Sequence, residues 1–136
     1  MSTINGIKSA HVRYKNAVTP EELMRSAQAG AKLANRLVGD ELHAPKSGTK
    51  WPWLPNKSSA AGEVPAAQFG NLEKGLVIDN ELSKKNIASV EFSSTAPYAH
   101  WLEYGNENID ARPYMRWVAV AHRDDLIDAM AAEVEV

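Results

Sequence analysis

The chain has 136 residues, the length of one ordinary domain, and residues 1–136 are expected to form a single domain. Hydrophobic residues make up 44% and charged residues 24%, which excludes a chain disordered throughout, and the formal net charge is −2. The absence of cysteine excludes disulfide scaffolds, thiolate metal sites and cysteine nucleophiles. No apolar run approaches the roughly 20 residues of a membrane helix, and no secretory signal pattern opens the chain, so we expect synthesis in a cytoplasm and no membrane partner.

The charge is unevenly distributed along the chain. Residues 1–57 hold nine basic and four acidic residues, a balance of +5, whereas residues 58–136 hold six basic and thirteen acidic residues, a balance of −7. Segments of opposite sign either pair within one fold or lie on opposite surfaces, where they favour head-to-tail association of copies into rings. The overall balance is not that of a general nucleic-acid-binding domain, which is usually strongly basic.

A first helix is predicted to begin at Thr19. Thr19 suits the N-cap, Pro20 suits the first helical position, and Glu22 completes a capping box. Apolar and small residues then recur at helical spacing, and these are Leu23, Ala27, Ala31, Ala34 and Val38. Gly39 is expected to end this helix in a left-handed conformation. Upstream, residues 7–16 fit either a helix or a strand.

A long irregular loop is predicted over residues 43–71, where four prolines and three glycines interrupt any periodic pattern. Loops of this length are uncommon in compact domains unless they are functional or disordered. The loop carries Trp51, Trp53 and Phe69 without a regular pattern that would bury them. These aromatic residues either fold back onto the domain or dock on another copy or another protein.

Lysines accompany the aromatic residues of this loop. Lys46, Lys50 and Lys57 interleave with Trp51 and Trp53, and such mixtures of basic and aromatic residues follow phosphates or single strands in some proteins. Three lysines over twelve residues are also compatible with a solvent-exposed loop in which the lysines contact only water. The two alternatives are a loop that lines a DNA channel and a loop that is only solvated.

Two strands are predicted after the loop. Residues 72–79 contain a short apolar run, and residues 86–93 alternate between apolar and more polar positions. The apolar face of the second strand consists of Ala88, Val90 and Phe92. Residues 79–86 are polar enough to form the connection of a hairpin.

Two further helices are predicted towards the C-terminus. A short helix runs between Pro97 and Gly105, and a last helix covers residues 113–134. The apolar side of the short helix consists of Tyr98, Trp101, Leu102 and Tyr104. Trp101 and Tyr114 are expected in the core.

Residues with catalytic or metal-binding chemistry form no recognised motif. The four histidines lack a metal-binding spacing, and neither a nucleophile elbow nor a phosphate-binding loop is present. His100 and Glu103 lie three residues apart on the predicted short helix, so a shared metal or a small hydrolase site is one hypothesis for them. The alternative is a histidine packed beside Trp101. We expect no catalytic residue, no metal and no cofactor.

Three stretches of the chain, taken in order, resemble one protein family. The first reads APKSG at residues 44–48, SSAAGEVP at residues 58–65 and GNL at residues 70–72. The second reads APYAHWLEYG at residues 96–105, and the third reads ARPYM at residues 111–115. Their order and spacing resemble the gene-product-ten-like family of tailed, lambda-like bacteriophages, over roughly residues 20–130. Members of that family are small neck proteins, also called head–tail joining or tail-completion proteins.

The resemblance implies an α+β fold, in which an antiparallel β-sheet is flanked by two main α-helices and the long loop joins the first helix to the sheet. It implies no catalysis. It implies a homo-oligomeric ring, expected to be a hexamer, in the virion neck between head-closure or adaptor proteins and tail proteins. Assembly would take place in the host cytoplasm, with non-specific contact to packaged DNA. A tail-terminator ring that caps the tail tube is the alternative, and a small hydrolase is a more distant one.

The interface of such a ring would use aromatic and arginine side chains, because these carry most of the energy of protein interfaces. The predicted interface residues are Trp51, Trp53, Phe69, Tyr98, Tyr104, Glu103 and Arg112, and the predicted DNA-channel contacts are Lys46, Lys50 and Lys57. Glu103 and Arg112 are also expected to form an ion pair across the turn at Gly105.

Overall fold

The computed structural model of the protein describes residues 19–134. Its elements are, in chain order, α1 (Pro20–Leu42), α2 (Asn71–Lys74), β1 (Leu76–Lys84), β2 (Ile87–Ser94), α3 (Ala99–Tyr104), α4 (Met115–Ala121) and α5 (Arg123–Ala132). The two strands form an antiparallel hairpin, and a long loop separates it from α1. The fold is therefore α+β, as predicted. The predicted element at residues 7–16 lies outside the described residues.

Helix α1 begins where the sequence predicts. The backbone N–H of Glu22 donates to Thr19 Oγ1 at 3.1 Å, and Pro20 occupies the first helical position. The prediction that Gly39 ends the helix is wrong, because α1 continues to Leu42. Leu42 lies one turn beyond Val38 on the same buried face, and its burial outweighs the preference of glycine for a helix end.

The first strand lies further along the chain than the sequence predicts: residues 72–74 belong to α2 rather than to the strand, and β1 extends to Lys84. Pairing runs from Leu76–Ser94 to Lys84–Ile87, so residues 79–84 belong to β1 and the turn itself contains only Lys85 and Asn86. The predicted connection over residues 79–86 is therefore wrong. Asn86 adopts a φ of 62°, a left-handed conformation that asparagine tolerates, and this makes so short a turn possible.

A β-bulge divides β1 into two halves. Asp79 pairs with Glu91 and Leu82 pairs with Ser89, so two residues of β1 stand opposite one residue of β2. Successive side chains of a strand point to opposite faces, and one inserted residue therefore reverses the faces that follow. As a result, Leu82 lies on the outer face of the hairpin, whereas Phe92 faces the core and is fully buried.

Helix α1 lies at the centre of the fold and contacts both strands, α4 and α5. Small residues line its buried face, namely Ser26, Ala27, Gly30, Ala31 and Ala34. They let neighbouring backbones approach closely, and Ser26 Oγ donates to the carbonyl of Met130 on α5 at 2.7 Å. The core continues through Val90, Tyr114 and Val118.

The C-terminal helix is divided in two. Instead of one helix over residues 113–134, α4 and α5 are separated at His122, whose φ of −113° and ψ of 22° depart from helical values. His122 Nδ1 lies 2.8 Å from Asp125 Oδ2, so the side chains stabilise the first turn of α5. Carboxylates in a first turn also interact favourably with the helix dipole.

The two aromatic residues assigned to the core have different positions. Tyr114 is fully buried, which confirms its prediction, whereas Trp101 on α3 is 53% exposed, so its prediction is wrong. The inward positions of α3 are occupied by Ala99 and Glu103 instead. The aromatic side of this short helix therefore faces solvent.

We expect the substitution Phe92→Ala to lower the free energy of unfolding by about 3–5 kcal/mol, because Phe92 is fully buried and a cavity would remain. Trp101→Ala is the matched control and should change it by about 0.5 kcal/mol or less, since that side chain lies at the surface. Urea denaturation measures both values. Equal losses for the two variants would contradict this assignment of the core.

Candidate docking surface

The long loop between α1 and α2 is ordered by its own hydrogen bonds. The N–H of Gly48 donates to the carbonyl of Ser58 at 2.8 Å, and the N–H of Ser58 donates to Thr49 at 2.9 Å. A side chain at Gly48 would collide with the Ser58 and Ser59 carbonyls, so only glycine allows this approach. Val64 enters the core. The loop therefore folds back through its backbone and Val64.

The carboxylate of Glu63 fastens the loop from within. It accepts the N–H of Ala60 at 2.5 Å and the N–H of Ser47 at 3.2 Å. These two donors, Ala60 first, hold the pKa of Glu63 below its usual value of 4.5, because they stabilise the charged form. The charged carboxylate thus joins two parts of the loop that lie far apart in sequence.

The aromatic residues of the loop do not follow its backbone into the core. Trp53 is 69% exposed, Phe69 is 65% exposed, and Trp51 is also exposed. The rings of Trp51 and Trp53 stack with their centroids 5.1 Å apart. These side chains are therefore not part of the core, and their docking on another copy or another protein, one of the two alternatives left open by the sequence, stays a prediction.

Trp51 and Phe69 border an open groove of about 680 Å³, within the range of about 300–1,000 Å³ that is usual for ligand pockets. We call it the aromatic groove and define it by Trp51, Phe69, Leu72, Tyr98, Leu102 and Arg112. Residues from the loop, α2, α3 and the segment before α4 thus meet at one end of the molecule. Tyr98 was predicted at an interface, and it lies exposed in the groove wall.

Glu103 holds α3 against the start of α4. Its Oε1 accepts the backbone N–H groups of Tyr114 and Met115 at 3.1 and 2.8 Å, and its Oε2 accepts the N–H and Nε of Arg116 at 3.1 and 2.9 Å. Helix α4 has no capping side chain of its own, so Glu103 supplies the acceptors that its first turn needs.

This role corrects two predictions about Glu103. The residue is fully buried, so it is not an interface residue, and its ion-pair partner is Arg116 rather than Arg112. Arg112 instead donates from Nε to the carbonyl of Ser59 at 3.4 Å and from Nη1 to that of Asp110 at 3.2 Å. In the sequence, the predicted start of this helix at Pro113 has no capping residue before it, and this indicates that the acceptor comes from another part of the chain.

The outward side of α3 extends the aromatic surface. Trp101 and Tyr104 are both exposed, and the guanidinium of Arg116 lies 4.8 Å from the centroid of the Tyr104 ring. Tyr104 thus occupies the exposed position that an interface residue requires. Arg116, which sequence reasoning missed, connects the buried carboxylate of Glu103 to this exposed ring.

The three loop lysines differ in their availability for DNA. The side chain of Lys46 is buried and its Nζ donates to the carbonyl of Glu41 at 2.6 Å, so the prediction that it contacts DNA is wrong. Lys50 donates to the carbonyls of Trp51 and Leu54 within the loop. Only Lys57, of these three, is exposed without a hydrogen bond among the described residues.

The groups proposed for chemistry do not assemble into a site. The ring of His100 lies 4.9 Å from that of Tyr104 rather than beside Trp101, whereas both carboxylate oxygens of Glu103 are occupied by α4, so these two residues do not share a metal. No cluster of three or more potential metal ligands occurs among residues 19–134. Burial raises the pKa of Tyr114 to about 12, which keeps its phenol neutral.

Comparisons of the chain with models of protein families, with curated proteins and with solved structures each gave no match. Within residues 19–134, no helix has both the length and the apolar character that crossing a membrane requires.

We expect Glu103→Gln to lower the free energy of unfolding by about 3 kcal/mol, because an amide cannot accept all four N–H groups that the carboxylate accepts. Arg116→Met is the matched control. It removes a half-exposed partner with two side-chain hydrogen bonds to Glu103, and leaves the three backbone N–H groups that stabilise the charged carboxylate, so about 1–2 kcal/mol is expected. Chemical denaturation of both variants tests the order, and a larger loss in Arg116→Met would contradict it.

The loop should lose stability in acid through Glu63. Its pKa is lowered on folding, so its contribution is fully present above the usual value of 4.5 and is lost as the pH falls through the lower folded value. Glu63→Gln should remove this part of the pH dependence. Thermal melts from neutral pH into acid measure it, and the Tm gap between the two proteins should close at low pH. A constant gap would refute this role for Glu63.

Proposed function

We propose that this protein is a structural component of a tailed bacteriophage and forms an oligomeric ring or collar in the neck that joins the DNA-filled head to the tail. The observation that carries the proposal is the group of exposed aromatic side chains in and beside one ordered groove. Trp51, Phe69 and Tyr98 line the groove, and Trp53 stacks on Trp51. Trp101 and Tyr104 are exposed on the outward side of α3. Aromatic residues concentrated in this way are the usual anchors of protein–protein interfaces.

The three stretches that resemble the neck-protein family also adjoin one another in space. The N–H of Gly62 donates to the carbonyl of Ala111 at 2.9 Å, which joins the first stretch to the third. The N–H of Arg112 donates to the carbonyl of Leu102 at 2.6 Å, which joins the third to the second. Separate motifs that form one region support a shared structural role for them.

The surface offers more for docking than for catalysis. The closest approach to an acid–base pair at its edge is His43 Nε2 with Glu73 Oε2 at 2.8 Å. No side-chain hydroxyl of the described residues hydrogen-bonds to this histidine, so it lacks a nucleophile to activate. Non-specific contact with packaged DNA remains part of the proposal, with Lys57 as the lysine free to make it.

The tail-terminator ring that caps the tail tube is a second candidate, because the same aromatic surface would serve it equally well. The two positions differ in the partner that the isolated protein recognises. A tail-terminator protein binds purified tails that lack it, whereas a head-side neck protein binds filled heads. Sedimentation of the purified chain with each separate structure distinguishes the two candidates.

Deletion of the gene from the phage or prophage that carries it should leave filled heads beside separate tails in electron micrographs of the lysate. Complementation with Trp53→Ser/Phe69→Ser should fail, because two anchors worth about 2 kcal/mol each correspond to roughly a thousandfold weaker docking. Val120→Ser is the control, since Val120 is exposed but lies away from the groove residues. Normal infectious particles from the deletion would refute the proposed function.

A further inference from the structure

We infer that the aromatic groove of one copy receives the hairpin tip of the next copy, an inference that rests on the proposed ring and identifies its contact. The hairpin tip is defined by Leu82, Lys84, Lys85 and Ile87. The occupant of the groove is thus a second copy of this chain, and each copy contributes two different surfaces to the assembly.

The hairpin tip carries apolar side chains that the fold itself leaves uncovered. Leu82 is 47% exposed and Ile87 is 41% exposed. Cross-strand pairing places Leu82 opposite Ser89 and Lys84 opposite Ile87, so Leu82, Lys84 and Ile87 share one face. The bulge between Asp79 and Leu82 is what brings Leu82 to this face. The large apolar side chains of Leu82 and Ile87 therefore lie together near the end of the hairpin.

The rest of the outer hairpin is also uncovered. All of residues 79–87 are exposed, so the outer half of the hairpin buries no side chain in the core, and Glu81 holds it to α1 through a hydrogen bond from Gln28. Among the described residues, no third strand pairs with residues 79–87. An exposed hairpin end of this kind gains from a partner that buries its apolar face.

The hairpin tip and the groove lie at opposite ends of the molecule. The base of β1 adjoins the C-terminal end of α1, where Glu73 contacts His43, whereas Glu81 near the tip accepts a hydrogen bond from Gln28 in the N-terminal half of α1. The nine-residue strand β1 spans about 26 Å between these ends. A copy therefore cannot place its hairpin tip in its own groove, and the contact must be between copies.

The lysines of the hairpin tip are complementary in charge to an acidic turn at one side of the groove. Lys84 and Lys85 at the hairpin tip form no ion pair among the described residues. On the groove side, the turn that contributes Ile109 to the lining carries Glu107 and Asp110, which also form no ion pair within the described part of the chain. Attraction between these groups orients the tip as it approaches, and the apolar residues then supply the contact.

Two different surfaces at opposite ends produce a head-to-tail contact. Such a contact leaves one groove and one hairpin tip unoccupied in any open chain of copies, and closure of a ring fills both. A symmetric dimer in which two grooves face each other would instead leave both tips exposed. The arrangement therefore predicts a cross-link pattern that a symmetric dimer does not give.

Cysteine cross-linking tests the contact directly, because the natural chain contains no cysteine. Leu82→Cys/Phe69→Cys in one chain should give a ladder of covalent oligomers under oxidising conditions. A mixture of the single variants Leu82→Cys and Phe69→Cys should give covalent dimers that contain one chain of each variant. Leu82→Cys/Val120→Cys is the matched control and should give no ladder, since Val120 is exposed outside the groove. The reaction is run on concentrated protein and on assembled particles.

Charge reversal tests the orientation of the tip. Lys84→Glu/Lys85→Glu should weaken self-association roughly tenfold or more, as should Glu107→Lys/Asp110→Lys, and combining all four changes should restore it. Each reversed variant should keep the wild-type Tm, because none of these side chains is buried. Sedimentation equilibrium at low and high salt measures the association, which should fall as salt rises.

Absence of the ladder both in concentrated protein and in particles overturns the inference, and so does a predominance of Phe69→Cys homodimers. Failure of the four changes to restore association overturns the assigned orientation. These results are separable from the deletion experiment. A required gene without the ladder refutes only the hairpin contact, whereas a ladder from a gene whose loss leaves infectious particles refutes only the neck function.

Discussion

The buried carboxylate of Glu103 is the interaction on which the surface of this protein depends. Four N–H groups at the start of α4 converge on it, so α3 must turn the face that carries Glu103 inward. Helix α3 has only six residues to divide between its buried and exposed sides. Because Ala99 and Glu103 occupy the buried side, Trp101 and Tyr104 face solvent. One buried charge therefore creates an exposed aromatic surface. Exposure of those rings costs free energy, but a buried helix start without hydrogen-bond acceptors would cost more.

Helix α1 supplies the second constraint, through the small size of the residues on its buried face. Ala27, Gly30 and Ala31 leave room for other backbones, and the hairpin and α5 both use it. The hairpin and α5 consequently pack close to α1, and the longer side chains of the loop and of the outer hairpin lie outside the core. Large side chains such as Phe92 and Tyr114 still fill the core, while further large apolar residues, among them Leu82 and Trp53, remain exposed at the periphery. Exposed apolar residues of this size are typical of interaction surfaces.

Much of the fold follows from local sequence rules, and the candidate site follows less well. Thr19 and Pro20 fix the start of α1, and the alternation around Phe92 identifies β2, because caps and strand faces depend on adjacent residues. Trp101 was misplaced because helical spacing favours the side with more apolar residues and takes no account of a distant helix start that needs an acceptor. The exposed position of Leu82 depends on a β-bulge, and the buried position of Lys46 depends on its hydrogen bond to the carbonyl of Glu41. Neither feature can be read from the neighbouring residues in the sequence.

In the proposed assembly, the β-bulge also bears on whether copies would close into a ring or extend into a filament. It lies between the half of the hairpin that packs on α1 and the exposed outer half, at Asn80, whose φ of 52° marks the local distortion. Bulges bend a strand and increase its twist, so this position sets the angle at which the outer half of the hairpin leaves the body. In a head-to-tail contact, that angle contributes directly to the rotation between successive copies. A fixed number of subunits requires a fixed rotation, and a short, distorted but hydrogen-bonded hinge is a more precise way to define it than a flexible loop.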